Sequence, residues 1–112
     1  MSNEPVDWQA RPENLMGVEG AYSLIVYSNV MEPELEVGST VDINPRLPCL
    51  TGRTCVFRTQ KEPGGKLRFG RLVEVTDKHF KIHEHNPPHD ERLDRNEYTA
   101  CEPLVGMRYR AR

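Results

Sequence analysis

The segment AYSLIVYSNVMEPELEVGSTVD, residues 21–42, contains two short predicted β-strands joined by a turn. Its first part, Leu24–Tyr27, is apolar and rich in β-branched and aromatic residues, which favour strands. Pro33 lacks an amide hydrogen and restricts the residue before it, so the chain is expected to turn here. Gly38 suits a backbone position with positive φ, and the alternating run Thr40–Ile43 predicts the second strand.

The remaining chain also consists of short β-prone runs separated by turn residues. Nine prolines and eight glycines among 112 residues favour many short elements over long helices. Four more strands are predicted, with a hairpin turn at Pro63-Gly64-Gly65 between the first two: Thr54–Thr59, Lys66–Val75, His79–His83 and Ala100–Met107. Asn86-Pro87-Pro88 is expected to end the third of them, and residues 92–99 to hold a short strand or a turn. This pattern predicts a mostly β domain, a compact barrel-like arrangement of short coiled strands and hairpins.

Length and composition predict one small domain preceded by an arm. A chain of 112 residues is the size of a single domain. Residues 1–14 are polar and contain Pro5 and Pro12, which predicts an extended N-terminal arm, and residues 15–112 would form the β domain. The first ten residues lack the apolar core of a signal peptide, and no apolar run approaches the roughly 20 residues of a membrane span. We therefore expect a cytoplasmic protein without membrane contact.

The net charge bears on nucleic-acid binding, and the cysteine content bears on the redox compartment of the protein. The formal net charge of −2 argues against direct nucleic-acid binding by this chain, because that function normally requires a basic surface. Cys49, Cys55 and Cys101 are odd in number and lack Cys-x-x-Cys spacing, so free thiols in a reducing compartment are expected. The sequence predicts no cofactor.

The turn after the first predicted strand carries a resemblance to a known family. In LexA-type self-cleaving repressors and their phage relatives, a strand is followed by Ser-Met-Glu-Pro, a few residues and a glycine before the next strand. The residues that match this pattern here are Met31, Glu32, Pro33 and Gly38. The chain from Arg11 onward resembles these domains. The resemblance implies the β fold of the LexA C-terminal domain and of signal peptidases, together with a serine–lysine peptidase site.

Both catalytic positions implied by this resemblance are substituted. In the family a serine attacks the peptide bond, and a lysine on the later strand of a long hairpin takes its proton. The serine position falls on Val30, and the lysine position, immediately before Arg71, falls on Gly70. Neither residue can perform its step, so the resemblance implies a domain that does not cleave itself.

An unconventional hydrolase would need a different serine and a different lysine. Ser28 and Lys66 lie two and four residues before the substituted positions, on the same strand faces if the strands are regular. A shift of two residues would move the serine by about 7 Å along the strand, away from the turn that exposes the nucleophile. This pair is therefore the less favoured interpretation.

Histidines near the end of one predicted strand form another candidate site. His83 and His85 share a strand face, and His89 could fold back across the prolines. With Glu84 and Asp90 they could bind zinc, whereas the alternative is a solvated strand end. The resemblance favours the solvated turn, because relatives carry an Asn-Pro turn here without a metal. We therefore predict no metal site.

The C-terminal strand is the predicted surface for self-association. In the family that this chain resembles, the C-terminal strand region carries the dimer contact. The corresponding apolar run contains Leu104, Val105 and Met107, and Arg108 and Arg110 beside it could pair with carboxylates of a second copy. The alternative is that this run closes the core of a monomer.

Together these features predict a catalytically inactive, peptidase-like domain of a LexA or phage-repressor type of transcription regulator. Such a domain would form a homodimer or bind a repressor-type protein. A free-standing small protein that modulates a full-length repressor is one alternative, and an unconventional hydrolase is another. Fold class alone does not decide among these functions.

Overall fold

The computed structural model describes residues 20–59 and 65–109, in which seven β-strands and no helix are present. The strands are β1 (Tyr22–Ile25), β2 (Thr40–Ile43), β3 (Thr54–Thr59), β4 (Leu67–Val75), β5 (His79–His85), β6 (Pro88–Asp94) and β7 (Tyr98–Arg108). The arm predicted at residues 1–14 and the turn predicted at Pro63-Gly64 lie outside the described residues. No helix of the described chain is long and apolar enough to cross a membrane.

The mostly β prediction is confirmed, but two regions differ from expectation. β1 spans Tyr22–Ile25 rather than the predicted Leu24–Tyr27, and a strand that was not predicted as such, β6, follows Pro87. β2 and β3 have the predicted bounds, and β4, β5 and β7 fall on the predicted runs. Asn86 and Pro87 form a two-residue loop rather than ending the strand pattern, because His85 pairs with Pro88 at the start of β6. β6 is an edge strand, and a proline at the start of an edge strand removes no ladder hydrogen bond.

All strand pairs are antiparallel, and the strand order is β1-β2-β7-β3-β4-β5-β6. β1 and β6 therefore lie at the two edges of one open sheet. Among the described strands these edges do not pair with each other, so the sheet does not close into a barrel. The predicted barrel-like closure is thus not present in the described part of the chain.

β7 is the strand that joins the two halves of the sheet. Its first half pairs with β3, from Tyr98 opposite Thr59 to Pro103 opposite Cys55. Its second half, Leu104–Arg108, pairs with β2 instead. β7 therefore leaves β3 at Pro103, and the structure separates into two ladders at this point.

Hydrophobic cores lie on both faces of the sheet. Because side chains alternate along a strand, Val56 and Phe69 face the first core while Phe57 and Leu72 face the second. The first core contains Tyr22, Leu24, Val26, Met31, Leu35, Val41, Ile43, Val56 and Phe69. The second contains Cys55, Phe57, Leu72, Phe80, Ile82, Leu93 and Tyr98. The sheet is therefore buried by apolar side chains on both sides.

The segment between β1 and β2, residues 26–39, is a compact loop that packs on the first core. The Val26 amide donates to the Ser39 carbonyl at 2.8 Å, and the Gly38 amide donates to the Val26 carbonyl at 2.7 Å. Gly38 has a φ of 95°, which confirms the positive φ predicted for it. The side chain of Met31, which belongs to this loop, is buried in the first core. These bonds close the base of the loop and hold the Met-Glu-Pro turn against the sheet.

Candidate functional site

The positions corresponding to the family's serine and lysine lie on different faces of the structure. The Val30 side chain packs against the first core. Its carbonyl accepts hydrogen bonds from the amides of His85 and Asn86, at 2.8 and 2.9 Å. Gly70 is paired with Cys55 in the β3–β4 ladder, and a Cβ at Gly70 would point at Ile82 of the second core. Serine and lysine side chains at these two positions would therefore point to opposite faces.

Packing against Ile82 explains why glycine occupies position 70. A Cβ there would lie 2.7 Å from Ile82 Cδ1 and 3.1 Å from Ile82 Cβ. Gly70→Ala should therefore lower the free energy of unfolding by about 1–3 kcal/mol, the usual cost of overpacking a core, as measured by urea denaturation.

A double variant provides the control for this expectation. Ile82→Val removes the methyl group nearest to position 70, so Gly70→Ala should cost less in an Ile82→Val background than in the parent chain. A Gly70→Ala variant as stable as the parent protein would contradict the placement of Gly70.

The alternative pair, Ser28 and Lys66, is engaged with different partners. The Ser28 hydroxyl accepts a hydrogen bond from the Val30 amide at 3.3 Å. The Lys66 ammonium forms an exposed ion pair with Glu97 at 3.2 Å. These contacts place the two residues in separate local networks.

The best-connected polar residue of the Met-Glu-Pro turn is Glu34. Its carboxylate accepts a hydrogen bond from the Thr54 hydroxyl at the start of β3. It also contacts His85 Nε2 at 2.7 Å and Arg71 Nη2 at 3.2 Å. Glu34 therefore ties the loop to three strands, β3, β4 and β5.

The surroundings of Glu34 favour its ionised form. Burial alone would raise the pKa of this carboxyl. The hydrogen bonds from Thr54 and His85, together with the positive charge of Arg71, outweigh burial and hold the pKa below its ordinary value of 4.5. The charged carboxylate thus contributes to the attachment of the loop.

The pH dependence of stability tests this role of Glu34. Because the pKa of Glu34 is lowered in the folded state, its carboxylate adds to the free energy of unfolding above about pH 4.5. This contribution is lost as the pH falls through the folded-state pKa. Glu34→Gln should lower the free energy of unfolding by about 1–2 kcal/mol near neutral pH. This difference should shrink near pH 3, as measured by denaturant unfolding at both pH values.

Glu36→Gln is the matched control, because Glu36 lies exposed in the same loop. It should change the stability little at either pH. An effect of Glu34→Gln that is equal at both pH values would show that the charge of Glu34 does not hold the loop.

A groove opens beside Glu34 where β7 separates from β3. Its volume is about 330 Å³. The loop, the start of β3, β4 and the second half of β7 line it, through Glu34, Leu35, Gly52, Arg53, Thr54, Arg71, Leu104, Gly106 and Met107. Its lining combines apolar side chains with one carboxylate and two guanidinium groups.

The three residues predicted to form a dimer contact have different environments. Leu104 and Met107 pack against the first core, whereas Val105 is 38% exposed. Arg108, a candidate for pairing with a second copy, contacts Asp42 Oδ1 of its own chain at 2.7 Å. The β2–β7 register causes this contact, because it places Arg108 and Asp42 on neighbouring strands two positions apart. Arg110 lies outside the described residues.

The histidines considered for zinc binding do not converge on one point. His83 Nδ1 contacts Asp90 at 2.8 Å, and the ring of His83 lies 5.2 Å from that of His85. His89 Nε2 contacts Glu84 at 3.2 Å instead. Since side chains alternate along β5, Glu84 faces away from His83 and His85. The candidates are divided between two faces of the hairpin.

A second group, Glu84, His89 and Glu91, brings possible metal ligands within 4.8 Å of one another. The Arg68 guanidinium already lies 2.7 Å from a carboxylate oxygen of both Glu84 and Glu91. Its hydrogen bonds lower the pKa of Glu91. This arginine supplies the positive charge that an ion would otherwise provide.

The three cysteines form a cluster that the sequence pattern did not indicate. Cys49 comes from the loop before β3, Cys55 from β3 and Cys101 from β7. Their sulfur atoms all lie within 4.8 Å of one another, and no disulfide joins them. Sequence reasoning missed the cluster because only the β3–β7 register brings Cys55 and Cys101 together. The usable signal was that both cysteines fall in predicted strands.

The thiol contacts change the acidity of the cluster. Hydrogen bonds with the thiols of Cys101 and Cys49 lower the pKa of Cys55 below its usual value, against the opposing effect of burial. Hydrogen bonds to its two neighbours, together with burial, raise the pKa of Cys101 above its usual value. The thiol contacts therefore shift the pKa values of Cys55 and Cys101 in opposite directions.

Models of protein families, curated proteins and solved structures were each compared with the chain, and none of them matches it. The function is therefore inferred from three features of the described residues: the Glu34 contacts, the groove and the cysteine cluster.

Proposed function

We propose that this chain is a peptidase-like domain of the LexA and phage-repressor type that does not cleave itself and acts by self-association. In this proposal it belongs to a cytoplasmic transcription regulator, and two copies pair along the second half of β7. The observation that carries the proposal is that Leu104–Arg108 has a strand partner on only one side among the described strands.

The lack of catalysis is supported by the side chains at the two family positions. Val30 has no hydroxyl group to attack a peptide bond, and Gly70 has no amine to accept its proton. Packing of a Cβ against Ile82 disfavours any larger residue at position 70. These features support a scaffold that is used for binding rather than for cleavage.

An unpaired strand edge supports the proposed mode of association. Backbone amides and carbonyls that lack a partner on one side favour the addition of another strand. If a second copy adds its own Leu104–Arg108 in the antiparallel direction, a two-fold axis makes the contact self-complementary. Val105, which is 38% exposed, would then be covered by the partner.

A second candidate function is partner binding, which the neighbouring groove favours. The groove runs between the start of β3 and the second half of β7 and presents Glu34, Arg53 and Arg71. An extended segment of a repressor-type protein could pair with the same edge of β7 while its charged side chains contact these residues. A free-standing protein that modulates a full-length repressor would use the groove in this way.

Sedimentation equilibrium of the purified chain tests self-association. We expect a dimer at concentrations near 100 µM, well above the micromolar range of ordinary weak complexes. Val105→Asp should weaken the dimer by about tenfold or more, because the contact would bury an unpaired charge.

Val73→Asp is the matched control, because Val73 is also an exposed valine on a strand, at 40% exposure, but lies on β4. It should leave the association constant unchanged. A single monomeric mass of the parent chain over the whole concentration range would overturn the self-association proposal. Equal effects of the two substitutions would exclude β7 as the contact.

A further inference from the structure

We propose that Cys49, Cys55 and Cys101 form a binding site for a soft, thiophilic metal ion, Zn²⁺ or Cu⁺, which they ligate as three thiolates. The proposal rests on the convergence of all three cysteines of the chain on one point, with their sulfur atoms within 4.8 Å of one another. These residues come from three separate segments. Their convergence is therefore a property of the fold and not of local sequence.

The strand register argues against a disulfide between the two strand cysteines. Cys55 lies opposite Pro103 and Cys101 lies opposite Phe57, so the two cysteines form a diagonal pair. Diagonal positions in an antiparallel pair have Cα atoms about 7–8 Å apart, whereas disulfides usually need about 4.4–6.8 Å. A disulfide from Cys49 to either of them would leave the third cysteine as a free thiol. A ligand shared by all three uses each sulfur once.

The spacing of the three sulfurs is close to that of a metal centre. Thiolate sulfur binds zinc at about 2.3 Å, which puts sulfur atoms of one ion about 4 Å apart. The sulfurs already lie within 4.8 Å of one another, so shifts of less than about 1 Å would complete the set. Binding would displace the three S–H protons to solvent, and the three sulfur–metal bonds would form with the electron pairs left on sulfur.

The donor set selects the class of ion. Among the described residues no His, Asp or Glu completes this group, so the ligands are sulfur alone. Calcium and magnesium prefer oxygen ligands, whereas thiolates select Cu⁺, Zn²⁺ or iron–sulfur clusters. Iron–sulfur clusters are normally held by four cysteines, and the chain has three. Zn²⁺ and Cu⁺ therefore remain, with Zn²⁺ taking a fourth ligand from solvent beside the half-buried Cys49 and Cys101.

The position of the site gives metal binding a structural consequence. An ion would join the β2–β3 loop, through Cys49, to β3 and β7. Cys101 lies two residues before Pro103, where β7 leaves β3, and the loop also carries Gly52 and Arg53 of the groove wall. A bound ion would thus fix the wall of the groove that faces the open edge of β7.

Titration of the reduced 112-residue chain under anaerobic conditions, with Zn²⁺ in one arm and Cu⁺ in the other, tests the site. We expect one ion per chain by native mass spectrometry, with three protons displaced, and protection of all three thiols from alkylation. Co²⁺ as a substitute for Zn²⁺ should give thiolate-to-metal charge-transfer absorption. Binding of only one of the two ions identifies the metal, and binding of neither overturns the proposal.

Substitutions locate the ion. Cys49 lies in a loop and is half-buried, so the substitution Cys49→Ser should leave the fold intact. It should weaken metal binding by about tenfold or more. His89→Ala is the control, because it removes a ligand of the Glu84–His89–Glu91 group only. Retention of the metal by a folded Cys49→Ser variant, or its loss in His89→Ala, would place the ion elsewhere and contradict the proposal. Circular dichroism of each variant verifies that it is folded.

Discussion

At Pro103, β7 exchanges one neighbouring strand for another, and the rest of the structure depends on this exchange. The Pro103 carbonyl accepts a hydrogen bond from the Asn44 amide at 3.3 Å, but proline has no N–H to return to that side. The β2–β7 ladder therefore starts only at Leu104, after the β3–β7 ladder has ended. One strand thus holds two ladders together, and each half of it has a strand partner on one side only among the described strands.

Both candidate sites depend on β3, which lies beside this junction. Thr54 and Cys55 are adjacent in β3 and face opposite sides of the sheet. The Thr54 hydroxyl donates to Glu34 of the loop, on the side of the first core, while Cys55 contributes to the thiol cluster on the other side. The groove and the cysteine cluster are therefore separate sites that share a strand, and a change in β3 or β7 would affect both.

Local patterns in the sequence predicted most of the strands, because alternation and turn residues act over a few neighbours. The positive φ of Gly38 and the bounds of β2 and β3 follow from such patterns. Features that depend on register could not be predicted in this way. The thiol cluster requires Cys101 to lie diagonal to Cys55, and the Arg108–Asp42 ion pair requires the β2–β7 pairing. No local sequence pattern between the two residues of either pair predicts that they lie close together.

In the proposed mode of association, Leu104–Arg108 has an open edge in a single chain, and a second copy covers that edge in the dimer. Amide hydrogen exchange followed by NMR at low and high protein concentration tests this claim most directly. We expect the amides of this segment that do not face β2 to exchange rapidly in dilute protein and slowly at high concentration, while those facing β2 stay protected throughout. Slow exchange of every amide in the segment at the lowest concentration would contradict it.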